Sequence, residues 1–149
     1  MDTVSQQARA GHRLLQMGML LFLLGLLTGF VSPTLANSRM GLSSHLEGVM
    51  NGTFLIALGL IWPKLLLGRP ALAVAFWLAI YGTFANWIAT LLAAAWGAGA
   101  PMMPIAAAGH TGSGVEETVI RFLLLSVGFA MVAICMLSLW GLRMRPASS

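Results

Sequence analysis

Charge is scarce in this sequence. Only 8% of its 149 residues are Asp, Glu, Lys or Arg, against about a quarter in a soluble domain, while 58% are hydrophobic and mean hydropathy is +0.88. That excludes a water-soluble domain with one large core; the composition is that of an integral membrane protein. Cysteine is scarcer still. The single Cys135 lies in an apolar run, which excludes a disulfide framework, a CxxC redox or zinc motif and the CxxCH attachment of c-type haem. No Gly-rich dinucleotide fingerprint or phosphate loop occurs, so a soluble redox cofactor has no evident place to bind. Lys and Arg outnumber Asp and Glu by 8 to 4. They stand at the ends of apolar segments, where they orient a membrane protein rather than bind nucleic acid.

What is present is four long apolar runs, and residues 1–149 read as a single all-α transmembrane domain, a four-helix bundle. The first helix is expected over about 14–31, too long for a signal-peptide core and ended by Pro33. The second runs over about 44–66, with Ser43 or Ser44 as its cap and Pro63 and Lys64 at its exit. The third spans about 71–96 after the turn Gly68-Arg69-Pro70, and the fourth about 115–142, with Glu116 and Glu117 in its first turn where the helix dipole favours them. Arg121 is expected to pair with Glu117 or reach the interface. Between the last two helices lies the one long loop, rich in Gly, Ala and Pro and holding His110, of a length that serves as linker or lid.

Four spans put both termini on one side. Arg9, Arg13, Lys64, Arg69, Arg143 and Arg145 lie there, against Arg39 and Arg121 on the other, so the positive-inside rule makes the termini and the second turn cytoplasmic, in a membrane of the bacterial inner type. The first half is not visibly duplicated in the second, which counts against an inverted-repeat transporter.

The candidate site is the stretch His45-Leu46-Glu47-Gly48-Val49-Met50-Asn51-Gly52. Polar side chains at bilayer depth cost a few kcal/mol and face a protein interior or a cavity; the alternative is that these cap a helix end at headgroup level. Helical spacing puts His45, Gly48, Gly52 and Leu55 on one stripe and Glu47 with Asn51 on a neighbouring one. Gly48-x-x-x-Gly52 is a surface on which another helix or a flat ligand can lie close. The third segment adds Thr83, Asn86 and Thr90 on one face beside Trp87, as helix-bridging groups or as part of the site. Glu47 is expected to be satisfied by Arg39 or by free backbone N–H groups.

Ala10-Gly11-His12, His45 with Asn51-Gly52, Ala85-Asn86 and Gly109-His110, in this order over four short helices, resemble styrene oxide isomerase. The stretches Gly41-Leu42-Ser43-Ser44-His45-Leu46-Glu47-Gly48, Tyr81-Gly82-Thr83-Phe84-Ala85-Asn86-Trp87 and Gly109-His110-Thr111-Gly112 look closer to its relatives, the hydroxylaminobenzene mutases. The resemblance covers about residues 10–142. It implies a homotrimer of four-helix protomers with non-covalent haem b between subunits, His45 as the axial iron ligand and Gly48 and Gly52 beside the macrocycle. Asn51, with Asn86 and Thr90, would hold the polar end of a small aromatic substrate, and ferric iron would act as a Lewis acid on it. Thr90 stands where the isomerase has a tyrosine near its substrate, and Gly82 matches an aspartate of the isomerase. Both departures point to a mutase converting an aryl hydroxylamine to an ortho-aminophenol, with epoxide isomerisation as the alternative. Two rivals come from other classes: a small transporter using Glu47 as a proton-coupled carboxylate, and a redox haem protein with His110 as second ligand.

Overall fold

The structure, a computed structural model, describes residues 3–143. It is all-helical: α1 (Thr3–Val31), α2 (Ser38–Ile61), α3 (Arg69–Trp96), a one-turn α4 (Pro104–Ala107) and α5 (Gly114–Gly141). The four long helices are long and apolar enough to cross a membrane. Their ends differ from those expected for physical reasons. α1 starts far before residue 14, because nothing in the polar run from Thr3 to Arg13 breaks a helix. α2 starts at Ser38 rather than at 44: its cap is Asn37, whose side chain accepts from Met40 N at 3.0 Å, and not Ser43 or Ser44. At its far end α2 tightens at Trp62–Lys64 into a 3-10 turn containing Pro63. Gly97, at φ 66°, closes α3. Ser113 and Glu116 open α5 with a reciprocal capping box.

The helices do not close into a bundle. Packing is consecutive, α1 on α2, α2 on α3 and α3 on α5, with α3 leaning into the α1–α2 groove. The result is an open row. Its tightest seam joins α1 and α2. Gly11, Gly18 and Gly25 recur every seventh residue on α1 and meet Gly59, Gly52 and Gly48 of the antiparallel α2; a Cβ on Gly25 would stand 2.6 Å from Val49 N, and one on Gly48 would overlap Gly25 Cα. Lipid tails are as apolar as leucine, so the hydrophobic effect does little to join such helices, and close backbone packing does it instead.

Two buried apolar clusters bracket the middle of the row. Leu14, Leu21, Leu55, Trp62, Ala79 and Ile134 belong to one; Met40, Ala93, Ala98, Ala107 and Ile120 belong to the other. Between them lies a layer of polar side chains. Arg9, Arg13, Lys64, Arg69 and Arg143 stand at the end reached by the first turns of α1 and α3 and the last of α2 and α5, as expected; Arg145 lies outside the described residues.

If the α1–α2 seam carries the fold, Gly48→Ala should destabilise the protein by about 1–3 kcal/mol through overpacking. Gly128→Ala, on α5 with no atom within 4 Å of the added carbon, should not. Thermal unfolding of both variants in mild detergent checks this.

Candidate functional site

His45 is half-buried on α2, its ring against α1. Nδ1 lies 2.8 Å from the carbonyl oxygen of Gly25. A carbonyl only accepts, so Nδ1 carries the hydrogen, and in the neutral ring Nε2 keeps the lone pair. Gly29, one turn along α1, makes room for the ring, since a Cβ there would stand 2.9 Å from Nδ1. Imidazoles that bind metal are commonly oriented by a carbonyl on their other nitrogen in this way.

Nearby, two carboxamides converge on a single carboxylate oxygen. Asn51 Nδ2 donates to Glu47 Oε2 at 3.0 Å, and Asn86 Nδ2, from α3, donates to the same oxygen at 2.6 Å. Asn51 is buried; Glu47 and Asn86 are half-buried. Glu47 is thus held by two carboxamides, not by Arg39 or by free backbone N–H groups. Asn51 and Asn86, two of the residues expected to hold the polar end of a substrate, meet at this carboxylate.

Thr90 is placed differently. Its hydroxyl donates to the Asn86 and Trp87 carbonyls of its own helix, each at 3.0 Å, and Thr83 back-bonds to Ala79 at 2.7 Å and Ile80 at 3.2 Å. Both are buried, with their hydrogens turned to the helix. Trp87 ties three helices: its Nε1 donates to Thr28 Oγ1 of α1 at 3.0 Å, and its carbonyl accepts from Ser44 of α2 at 3.3 Å. Gly82 faces α5, with Met131 against it, rather than the His45 layer.

Of the two occupants expected on the Gly48–Gly52 surface, the structure has the helix. α1 fills it with Gly18, Phe22 and Gly25, so these glycines meet backbone rather than a flat ligand. His110 is exposed in the loop, its Nδ1 at 3.0 Å from the Ala107 carbonyl. Glu117 takes the backbone N–H of Gly99 and Gly112 at about 3 Å instead of pairing with Arg121, which pins the loop to α5. Gly25, Thr28 and Gly29 were not anticipated as site residues. The seven-residue glycine period of the first segment was the available signal.

The layer therefore offers one directed imidazole lone pair and a carboxamide–carboxylate–carboxamide group in apolar surroundings. Among the described residues no three His, Cys, Asp or Glu side chains are placed to hold a bare metal ion. An iron already held by a macrocycle asks the protein for only one or two axial ligands, and His45 fits that role. Because both amides meet one oxygen, Glu47→Gln can present its carbonyl there and keep both bonds. Glu47→Leu orphans two amides, at about 1–3 kcal/mol each. Unfolding of the two variants should separate them by about 2–6 kcal/mol.

The styrene oxide isomerase family model matches residues 10–143. The chain is 60% identical over 147 residues to hydroxylaminobenzene mutase HabB of Ectopseudomonas oleovorans, covering 99% of this chain and 90% of that protein. It is 49% identical over 125 residues to hydroxylaminobenzene mutase HabA of the same organism, covering 84% and 93%. No solved structure matches it. A match over nearly the whole length, with the His45 layer inside it, means that this chain belongs to the styrene oxide isomerase family.

Proposed function

We propose that this chain is a membrane-embedded mutase that rearranges an aryl hydroxylamine, such as hydroxylaminobenzene, to an ortho-aminophenol, with haem b held by His45. The substrate class rests on the names of the two similar proteins, HabB and HabA. One observation carries the cofactor reading: Gly25 fixes the Nδ1–H of His45, so Nε2 is the nitrogen left to ligate. Ferric haem supplies Lewis acidity toward the N–O bond, with no net redox change.

The chain's own residues bind and orient. Asn51 and Asn86, locked by Glu47, present rigid carboxamides to the polar end of a substrate and lose little freedom in doing so. The flanking apolar clusters exclude water. An aromatic substrate partitions into the bilayer and enters laterally. Reactant and product are isomers, so no reductant, oxygen or nicotinamide is consumed.

Exposure supports assembly with other copies of the chain. His45, Glu47 and Asn86 are each half-buried in one open row, and polar groups at membrane depth take protein cover. A homotrimer with the site at the contact between copies supplies that cover and the room a macrocycle takes. In this reading the arginine-rich end and both termini face the cytoplasm.

His45→Ala should abolish the Soret band of protein that still inserts and assembles. Asn51→Ala should keep the band and lower turnover roughly ten- to a thousand-fold. The assay is anaerobic incubation of purified protein with phenylhydroxylamine and, in parallel, with styrene oxide. Reaction of the epoxide alone would make the chain an epoxide isomerase, in line with the family that its model match names. Mass measurement in mild detergent should give a trimer, and a haem-bearing monomer would reject that assembly.

A further inference from the structure

At the arginine-rich end a cavity of about 1170 Å³ opens between the first turns of α1 and α3 and the α2–α3 turn. Arg13, on its rim, is 12 residues along α1 from Gly25, or roughly 18 Å at the helical rise, so the cavity is separate from the His45 layer. Arg9, Arg13, Arg69 and Arg143 all line it. The carboxylates of the described residues lie elsewhere: Glu47 in the polar layer, Glu116 and Glu117 on backbone amides at the opposite end. Four arginines thus line one cavity with no described acid to neutralise them, Arg143 with its guanidinium over the Trp140 ring at 5.1 Å from the centroid.

The wall is of the opposite character. Trp62, Phe76 and Trp77 line it, packed edge to face with centroids 6.2 Å and 5.5 Å apart. The frame is held in shape. Gln7 Nε2 donates to the carbonyls of Trp62 at 2.7 Å and Leu65 at 3.0 Å, and Leu66 N donates to Gly141 O at 2.7 Å.

We propose that this cavity binds an anionic phospholipid, its phosphate on the arginines and its acyl chains along the aromatic wall. Guanidinium forks match phosphate oxygens, and the site lies at helix ends, where headgroups sit. The space exceeds what a free anion fills, and a free anion would leave the apolar wall unused. Bound lipid would tie α1, α3 and the last turn of α5 across the open row, whose outer helices lack mutual packing.

The test is native mass spectrometry of full-length protein exchanged into mixed micelles holding equal phosphatidylglycerol and phosphatidylcholine. Wild type should retain phosphatidylglycerol preferentially. Each arginine near a charged membrane surface is worth about fivefold in affinity, so Arg13→Gln with Arg69→Gln should cut that preference by about 25-fold. Arg39→Gln with Arg121→Gln, at the other end, should leave it unchanged. If the first double variant fails to assemble, Arg13→Gln and Arg69→Gln singly should each give about fivefold. Equal retention of the two lipids, or an equal loss in the control variant, would overturn the proposal. So would inorganic phosphate raising thermal stability as much as phosphatidylglycerol does, since that marks a free-anion site. None of these readouts depends on haem or turnover.

Discussion

Contact between two helix backbones is the constraint on which the rest of this structure depends. α1 and α2 meet at Gly25 and Gly48 with no side chain between them, and at Gly18 and Gly52 one turn or two further along. Only at that separation does the Gly25 carbonyl come within 2.8 Å of a side chain rooted on the neighbouring helix. Any larger residue on the seam pushes α1 outward, and His45 then loses the acceptor that decides which ring nitrogen is free. The packing that holds the hairpin together and the chemistry of the imidazole are consequences of one geometry.

The polar layer is tolerable because it is internally satisfied. Glu47 is shared by Asn51 and Asn86, Trp87 by Thr28 and Ser44, and the threonines of α3 bond back to their own helix. Each bond adds little by itself, but leaving one unmade costs about 1–3 kcal/mol, so the network also selects how α2 and α3 dock. A carboxylate engaged by two rigid donors is built to position its neighbours. That arrangement favours an enzyme whose carboxamides must stay still over a transporter whose carboxylate must change partners.

The open row leaves the layer half covered in a single chain, and the basic end is separated from it by one apolar cluster. Chemistry in the middle and charge at the end can therefore respond to different neighbours. The former faces another copy of the chain in the trimer proposed; the latter faces lipid headgroups in the lipid site proposed.

Much of this was legible in the residues. Four apolar runs of bilayer length, punctuated by Pro33, Pro63 and Pro70, determine an all-helical membrane domain, because a chain in lipid must satisfy its backbone within each helix. The basic residues at one end and the polar stretch from His45 to Asn51 were equally visible, since composition and helical spacing are local properties. Partner choice was not. Glu47 was expected to meet Arg39 or backbone amides and instead meets two carboxamides, and Gly48 could face a helix or a ligand; only the docking of α1 and α3 decided these outcomes. The same holds for the open row, for Thr90 turned to its own backbone, and for Asn37 rather than Ser44 as the cap. Spacing along a helix says which residues share a face. Which face meets which neighbour is settled by how closely backbones can approach, and that is a property of two helices together.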